Sequence, residues 1–156
     1  MDILTEQLKF EEGLRLTAYL CPTGHKTIGY GHNLEARPFF EGNRIPDQIT
    51  KEVAEVLLHH DIEDTIELLG KAWHGFLLLH GARSDAVINM AYQMGVDKFM
   101  GFKKLRDALI RCDWQTAYRE AMASAWARQT PERAERVATQ FMTGEHYVPG
   151  ATAKRI

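Results

Sequence analysis

Cysteine is scarce in this sequence, and its scarcity excludes two classes of small protein. The 156 residues contain only Cys21 and Cys112, and the two have no spacing typical of a metal site. Two cysteines cannot form the framework of a disulfide-rich secreted scaffold, and they cannot supply the ligands of a zinc ribbon. Prolines are also few, with five in the chain, so a collagen-like or low-complexity chain is excluded as well.

The sequence also lacks an excess of charge of either sign, and it lacks a long apolar run. The 19 basic and 21 acidic side chains give a formal net charge of −2, which indicates no strong attraction to nucleic acid or to an anionic membrane. The first 13 residues carry four carboxylates where a signal peptide needs a basic start. The most apolar stretch, residues 76–79, is far shorter than the roughly 20 residues of a membrane span. We therefore expect a protein made in the cytoplasm without a signal peptide.

What the sequence does contain is the composition of one globular domain. Apolar residues make up 45% of the chain and charged residues 26%, which is typical of a protein that folds. A chain of this length buries a core without metals or disulfides. We expect a single domain over residues 1–156.

The N-terminal part of the sequence predicts a helix followed by a β-hairpin. Asp2 is a suitable N-cap for a helix over residues 3–12. Apolar and polar residues then alternate over residues 14–20, as in a half-buried strand. Residues 22–24 predict a turn, and residues 26–30 predict the returning strand.

The rest of the sequence is predicted to be mostly helical. Residues 33–49 contain prolines and a glycine that favour a loop or a short third strand. Thr50 is a suitable N-cap for the longest helix, whose apolar stripe continues to residue 69. Shorter helices are expected over residues 73–79, 84–94, 102–111, 114–123 and 130–143. A small sheet followed by a larger helical part is an α+β chain.

The most distinctive stretch of the sequence is residues 11–32, which read EEGLRLTAYLCPTGHKTIGYGH. This stretch resembles the T-even phage lysozyme family of endolysins, glycoside hydrolase family 24, whose signature combines EGxRL with TIGxGH. The resemblance continues in ITKE at residues 49–52, in INMAYQMG at residues 88–95 and in QTPERAER at residues 129–136. Most of the chain is covered.

The resemblance implies a lysozyme-like fold with two lobes. The small lobe with the β-sheet would take in about residues 13–60, and the helical lobe about residues 1–12 and 71–156. A long helix over about residues 50–70 would join them.

The resemblance also implies an activity and its setting. It implies a muramidase that hydrolyses the β-1,4 bond between N-acetylmuramic acid and N-acetylglucosamine in bacterial peptidoglycan and so leads to host cell lysis. No cofactor, no metal ion and no nucleic acid is expected. An endolysin without a signal peptide would reach the cell wall through a separate holin-type membrane permeabiliser, and we expect it to act as a monomer.

Three residues match the catalytic positions of the family. Glycoside hydrolysis needs an acid that protonates the leaving oxygen and a second group that activates water or stabilises the sugar cation. Glu12 matches the general acid because it stands immediately before the glycine. Nine residues later, where the family's prototype has an aspartate, this sequence has Cys21, and some endolysins of this kind have a cysteine there. Thr27 is the third member, with a hydroxyl suited to orienting water.

Each of these residues also has a simpler interpretation. A free cysteine is most often a small buried hydrophobe, and its thiol titrates near pH ~8.5, so little thiolate is present at neutral pH unless the pKa is lowered. Thr27 would otherwise be an ordinary β-branched strand residue, and Glu12 an exposed carboxylate at a helix end.

Further residues are assigned by the resemblance alone. Arg133 corresponds to the arginine that reaches the catalytic glutamate. His32 and Asp61 correspond to a buried structural ion pair. Three residues lie where the family contacts substrate, although an aromatic at helical spacing is explained equally well as core; these are Asn33, Tyr92 and Gln93.

Two other functions stay open at this point. No carboxylate lies between residues 13 and 33, which favours considering a lytic transglycosylase, in which Glu12 alone does acid and base work and the product is anhydro-muramic acid. The third hypothesis is a catalytically silent wall-binding module, since a fold does not imply a function.

Overall fold

The computed structural model describes residues 2–150, and a helix and five short strands come first. These are α1 (Ile3–Glu12), β1 (Arg15–Leu20), β2 (Lys26–Gly29), β3 (His32–Asn33), β4 (Phe39–Phe40) and β5 (Asn43–Arg44). The remaining elements are helices, namely α2 (Lys51–Ala72), a 3-10 helix (His74–Leu78), α3 (Gly81–Met94), α4 (Val96–Met100), α5 (Lys103–Ile110), α6 (Trp114–Met122), α7 (Ala125–Gln129) and α8 (Pro131–Thr143). The predicted α+β class is confirmed.

The chain divides into two compact units at a point within α2. The first unit ends at Ile62, and the second begins at Glu63. The first contains α1 and all five strands, so α1 groups with the sheet. The lobes that the resemblance implies would instead group residues 1–12 with the later helices. The single domain and the linking role of residues 50–70 stay predictions.

A tight turn joins β1 to β2 and fixes the position of Cys21. The Gly24 N–H donates to the Cys21 carbonyl at 2.8 Å, and the Cys21 N–H donates to the His25 carbonyl at 2.9 Å. Pro22 occupies the second position of this turn, where its fixed φ is favourable. Gly24 has a φ of 85°, a left-handed conformation that glycine adopts without strain. The turn predicted over residues 22–24 is confirmed.

Three paired residues form a row across the sheet. The strands β1, β2 and β3 are antiparallel neighbours in that order. Tyr19 pairs with Thr27, and Thr27 pairs with Asn33. Directly paired residues point to the same face of an antiparallel sheet, so the three side chains stand side by side.

The predicted burial of β1 is wrong. The alternation in residues 14–20 predicts that Leu16 and Leu20 face a core, but Leu20 is 72% exposed and Leu16 is exposed as well. The register between β1 and β2 shifts between Arg15 and Tyr19. A shift of register changes which face of the sheet a side chain points to, so simple alternation no longer holds along β1.

Helix α1 has clear start and end signals in the structure. The Asp2 carboxylate accepts a hydrogen bond from the Thr5 N–H at 2.8 Å, which satisfies one of the free donors of the first turn. Leu4 and Leu8 are buried and fix the orientation of the helix. Gly13 follows with a φ of 69° and ends it. The last residue of the helix is therefore Glu12, at the point where the chain enters the hairpin.

The second unit is helical, and its core consists of the buried side chains Met90, Phe99, Leu105, Leu109 and Phe141. The short helices α4 and α7 were not predicted, because five residues are too few for an apolar period to show. The predicted last helix is confirmed. The hydroxyl of Thr130, which precedes the helix, donates to the Trp126 carbonyl at 3.0 Å. Within residues 2–150, none of the helices has the length and apolarity to cross a membrane.

Candidate active site

Glu12 lies against the glycine-rich segment that follows β2. A Cβ atom built on Gly31 would lie 2.8 Å from Glu12 Oε2 and 3.3 Å from its Cδ. Gly31 also has a φ of 78°. Its lack of a side chain therefore allows the left-handed backbone conformation and leaves room for the carboxylate. Glu12 is half-buried. The second glycine of the TIGYGH motif, Gly31, thus lets the carboxylate approach the backbone closely.

Cys21 is a half-buried free thiol at the first position of the hairpin turn. Its Sγ lies 3.0 Å from the Thr23 hydroxyl. The hydrogen bond from that hydroxyl lowers the pKa of the Cys21 thiol most, and burial opposes it. The backbone N–H groups of His25 and Thr23 and the Thr27 hydroxyl also favour the thiolate. Together these hydrogen bonds lower the pKa of the Cys21 thiol to about 7.

The Thr27 hydroxyl has two neighbours that compete for its single proton. It donates to the His25 carbonyl at 2.9 Å, and it is one of the groups that lower the pKa of the Cys21 thiol. Thr27 is only 5% exposed, so these two protein acceptors are its main partners within the described residues. The hydroxyl oxygen keeps lone pairs with which to accept from a thiol or from water.

Tyr19 connects the glutamate and the thiol electrostatically. Burial raises the pKa of the Tyr19 phenol, and the Glu12 carboxylate raises it further. The Arg15 guanidinium, 4.5 Å above the ring, lowers it, and the Cys21 thiolate raises it. The negative charges of Glu12 and Cys21 therefore act on one side chain, and the two groups belong to the same local site.

His32 and Asp61 are in contact, in the first unit. His32 Nδ1 lies 2.7 Å from Asp61 Oδ2, with side-chain exposures of 5% and 15%, and His32 Nε2 lies 3.0 Å from the Arg37 carbonyl. Burial disfavours the charged imidazole, but the hydrogen bond and charge of Asp61 outweigh it and raise the pKa of His32. This geometry ties β3 to α2.

Arg133 is buried in the second unit and is held there by Asn89. Its Nε and Nη2 donate to Asn89 Oδ1 at 3.0 and 2.8 Å. Asn89 is fully buried, and its amide oxygen is a neutral acceptor. The pairing of Arg133 with Glu12 stays a prediction.

The three residues predicted to bind substrate have other partners as well. Asn33 Oδ1 accepts from the backbone N–H groups of Glu35 and Ala36 at 2.9 and 3.1 Å. Gln93 Oε1 accepts from Trp126 Nε1 at 2.8 Å. Tyr92 is half-buried on α3. Their contacts with substrate stay predictions.

Sequence reasoning missed Thr23, Tyr19 and the pair His25–Glu35. Thr23 supplies the hydroxyl beside the thiol, and its place in a four-residue turn that starts with Cys21 is the signal that could have indicated it. His25 Nδ1 lies 2.8 Å from Glu35 Oε2, a contact that no spacing in the sequence indicates. No group of three or more metal-ligating side chains occurs in the part of the chain that the structure describes.

This chain is similar to several known proteins. The family model described as phage lysozyme matches residues 9–140. The chain is 30% identical over 160 residues to a protein of Dictyostelium discoideum named probable T4-type lysozyme 2, and the match covers 90% of this chain and 94% of that relative. It is 35% identical over 92 residues to a protein named endolysin from Acyrthosiphon pisum secondary endosymbiont phage 1, with 59% and 57% covered.

A further relative is a much longer protein. The chain is 32% identical over 162 residues to the pre-baseplate central spike protein Gp5 of Enterobacteria phage T4. That match covers 90% of this chain but only 28% of the spike protein. The chain therefore corresponds to a fraction of the length of that relative.

Proposed function

Because this chain belongs to the phage lysozyme family, we propose that it degrades bacterial peptidoglycan as a muramidase. The bond cleaved is the β-1,4 bond between N-acetylmuramic acid and N-acetylglucosamine. Glu12 is the general acid that protonates the leaving oxygen. Cys21 and Thr27 act on the attacking water. No cofactor takes part in these steps.

One observation carries this proposal, namely that a carboxylic acid and an unusually acidic thiol act on the same Tyr19 phenol. A glycosidase needs one group that gives a proton and a second that takes one or stabilises positive charge. With a pKa of about 7, Cys21 is about half ionised at neutral pH. A thiolate therefore supplies the negative charge that an aspartate would supply at this position.

The hydrogen bonds of Thr27 support its part in the reaction. While Cys21 is protonated, the Thr27 hydroxyl donates to the His25 carbonyl. The hydroxyl oxygen can then accept a hydrogen bond from the thiol. When Cys21 is ionised, the thiolate becomes a second acceptor for the same proton. Thr27 thus holds the thiol and a water molecule in position through hydrogen bonds to both, and it stays uncharged.

Mass spectrometry of the soluble products tests the reaction. Purified peptidoglycan is incubated with the wild type and with Glu12→Gln, under reducing and non-reducing conditions. Release of fragments with reducing-end muramic acid by the wild type alone is expected. Anhydro-muramic acid would instead establish the lytic transglycosylase, and no release by either protein would favour a silent wall-binding module.

The biological setting belongs to the same proposal. We infer that wall degradation leads to host cell lysis, that a separate holin-type permeabiliser gives the protein access to the wall, and that the protein acts as a monomer. The relative named endolysin supports this setting. Expression in a bacterium with and without a membrane permeabiliser tests the dependence on the permeabiliser, since lysis is expected only when it is present. Light scattering during gel filtration tests the monomeric state.

A further inference from the structure

His25 and Glu35 form a contact between the hairpin and the turn that follows β3. His25 Nδ1 lies 2.8 Å from Glu35 Oε2. The hydrogen bond to His25 lowers the pKa of Glu35, and a second bond, from the backbone N–H of Lys26, lowers it further. One carboxylate therefore binds His25, just before β2, and Lys26, the first residue of β2.

The backbone of His25 contacts both the Cys21 and the Thr27 side of the candidate site. Its carbonyl oxygen accepts from the Cys21 N–H at 2.9 Å and from Thr27 Oγ1 at 2.9 Å. Its own N–H is one of the donors that favour the Cys21 thiolate. The position of this one peptide segment thus sets the geometry of the thiol and of the hydroxyl together.

Glu35 is itself held in place by the sheet. The Asn33 side chain accepts the Glu35 N–H at 2.9 Å, and the Leu34 N–H donates to the Lys26 carbonyl at 2.9 Å. Asn33 is paired in register with Thr27. The carboxylate therefore stands on a turn that is anchored to the strand carrying Thr27, and it reaches back to the residue between Cys21 and Thr27.

The His25–Glu35 pair is exposed, so it can affect the geometry of the site while contributing little to the stability of the fold. The side chains of His25 and Glu35 are 53% and 52% exposed. Ion pairs between exposed groups contribute little to stability. Loss of the contact should therefore leave the folded state intact and change the position of the His25 peptide.

We propose that the His25–Glu35 pair positions the Cys21 and Thr27 side chains for the reaction, acting through the backbone of His25. The inference rests on the proposed function, because it gives the pair a part in the same site. The proposal makes both side chains positioning residues, which act through the His25 backbone. Besides the hydroxyls of Thr23 and Thr27, the group that faces Cys21 is Tyr19, on which Glu12 and Arg15 also act.

The pKa of the Cys21 thiol is the property to measure, because a merely structural contact would not move it. The rate of alkylation by iodoacetamide is followed against pH in a Cys112→Ser background, so that Cys21 is the reacting thiol. The variants are Glu35→Ala and Glu35→Gln, whose amide oxygen still accepts hydrogen bonds. Glu67→Ala is the matched control, since Glu67 is an exposed carboxylate paired with Lys71 at 2.7 Å.

In Glu35→Ala the thiol pKa is expected to rise from about 7 toward that of an unperturbed thiol, while the melting temperature stays close to that of the parent. The kcat should fall about fivefold, the effect of about one hydrogen bond, with KM unchanged. Glu35→Gln should restore most of both properties, and Glu67→Ala should change neither.

An unchanged thiol pKa in Glu35→Ala would overturn the proposal. A raised pKa with an unchanged kcat would overturn it as well, because the pair would then have no part in the reaction. Alkylation needs no substrate, so the thiol pKa is measured independently of whether the protein degrades peptidoglycan. If the parent protein released no muropeptide, the proposed function would fail, whatever the alkylation showed.

Discussion

The Glu12 carboxylate lies directly over the Gly31 backbone, so that a Cβ atom on Gly31 would be 2.8 Å from Glu12 Oε2. This contact joins the last residue of α1 to the segment between β2 and β3. It fixes where the acid of the proposed reaction stands relative to the hairpin that carries the thiol.

Replacing Gly31 by alanine should therefore displace the carboxylate. We expect Gly31→Ala to fold but to lose at least about tenfold in turnover, because a ~1 Å displacement of a reacting group costs this much or more. Gly42→Ala is the matched control, since Gly42 has the same φ of 78° and nothing within 4 Å of its would-be Cβ. Both variants should lose about 1–2 kcal/mol of stability from the left-handed conformation. Wild-type turnover in Gly31→Ala would show that the close approach is irrelevant to the reaction.

Cys21 should be replaceable by aspartate but not by serine. Aspartate is favoured at the first position of a turn, where it accepts the same backbone hydrogen bonds, and it is ionised at neutral pH. Serine accepts the bonds but carries no charge. We expect Cys21→Asp to keep or raise the rate of peptidoglycan hydrolysis and Cys21→Ser to lose most of it, measured as turbidity loss of a wall suspension. Full activity in Cys21→Ser would remove the thiol from the mechanism.

The pH dependence of kcat/KM should report the ionisation of Cys21. Because the thiolate is the active form and its pKa is about 7, activity should rise as the pH increases through about 7. In Cys21→Asp the rising limb should move toward the usual aspartate pKa of about 3.9. Rates measured between about pH 4 and 9 check this expectation, and superimposable rising limbs in the two proteins would contradict it.

The His32–Asp61 pair should stabilise the first unit more at low pH than at high pH. The folded state raises the pKa of His32 above 6.5, so the stabilisation is fully present below the pKa of the unfolded state and is lost as the pH rises through the folded pKa. The stability difference between the wild type and Asp61→Asn should be larger at about pH 5 than at about pH 9. Urea unfolding at the two values measures it, and an equal or reversed difference would argue against a charged imidazole.

Local signals explain which parts of the fold were predicted correctly. Helix α1 begins and ends where Asp2 and Gly13 indicate, because a cap and a left-handed glycine act on their own neighbours in the chain. The predicted burial of Leu20 was wrong because it depends on the register of β1 with its partner strand, which the local sequence does not set. The extent of α2 to Ala72 and the presence of α4 likewise depend on packing that no periodicity reports.

The chemistry of the candidate site divides in the same way. The resemblance to the lysozyme family indicated Glu12, Cys21 and Thr27, whose catalytic roles stay predictions. The resemblance could not indicate the acidity of the thiol, because that acidity arises from donors that the hairpin turn brings to Sγ, among them Thr23. It could not indicate Glu35 either, because that carboxylate reaches the hairpin only through the turn anchored by Asn33.

The central claim is that Glu12 donates the proton in a hydrolysis. Its most direct test is the digestion of purified peptidoglycan in water labelled with heavy oxygen by the wild type, Glu12→Gln and Glu11→Gln, in which the neighbouring carboxylate is the control. The account predicts one labelled oxygen at the reducing-end muramic acid from the wild type and from Glu11→Gln, and no soluble product from Glu12→Gln. Unlabelled anhydro products from the wild type, or labelled products from Glu12→Gln, would contradict it.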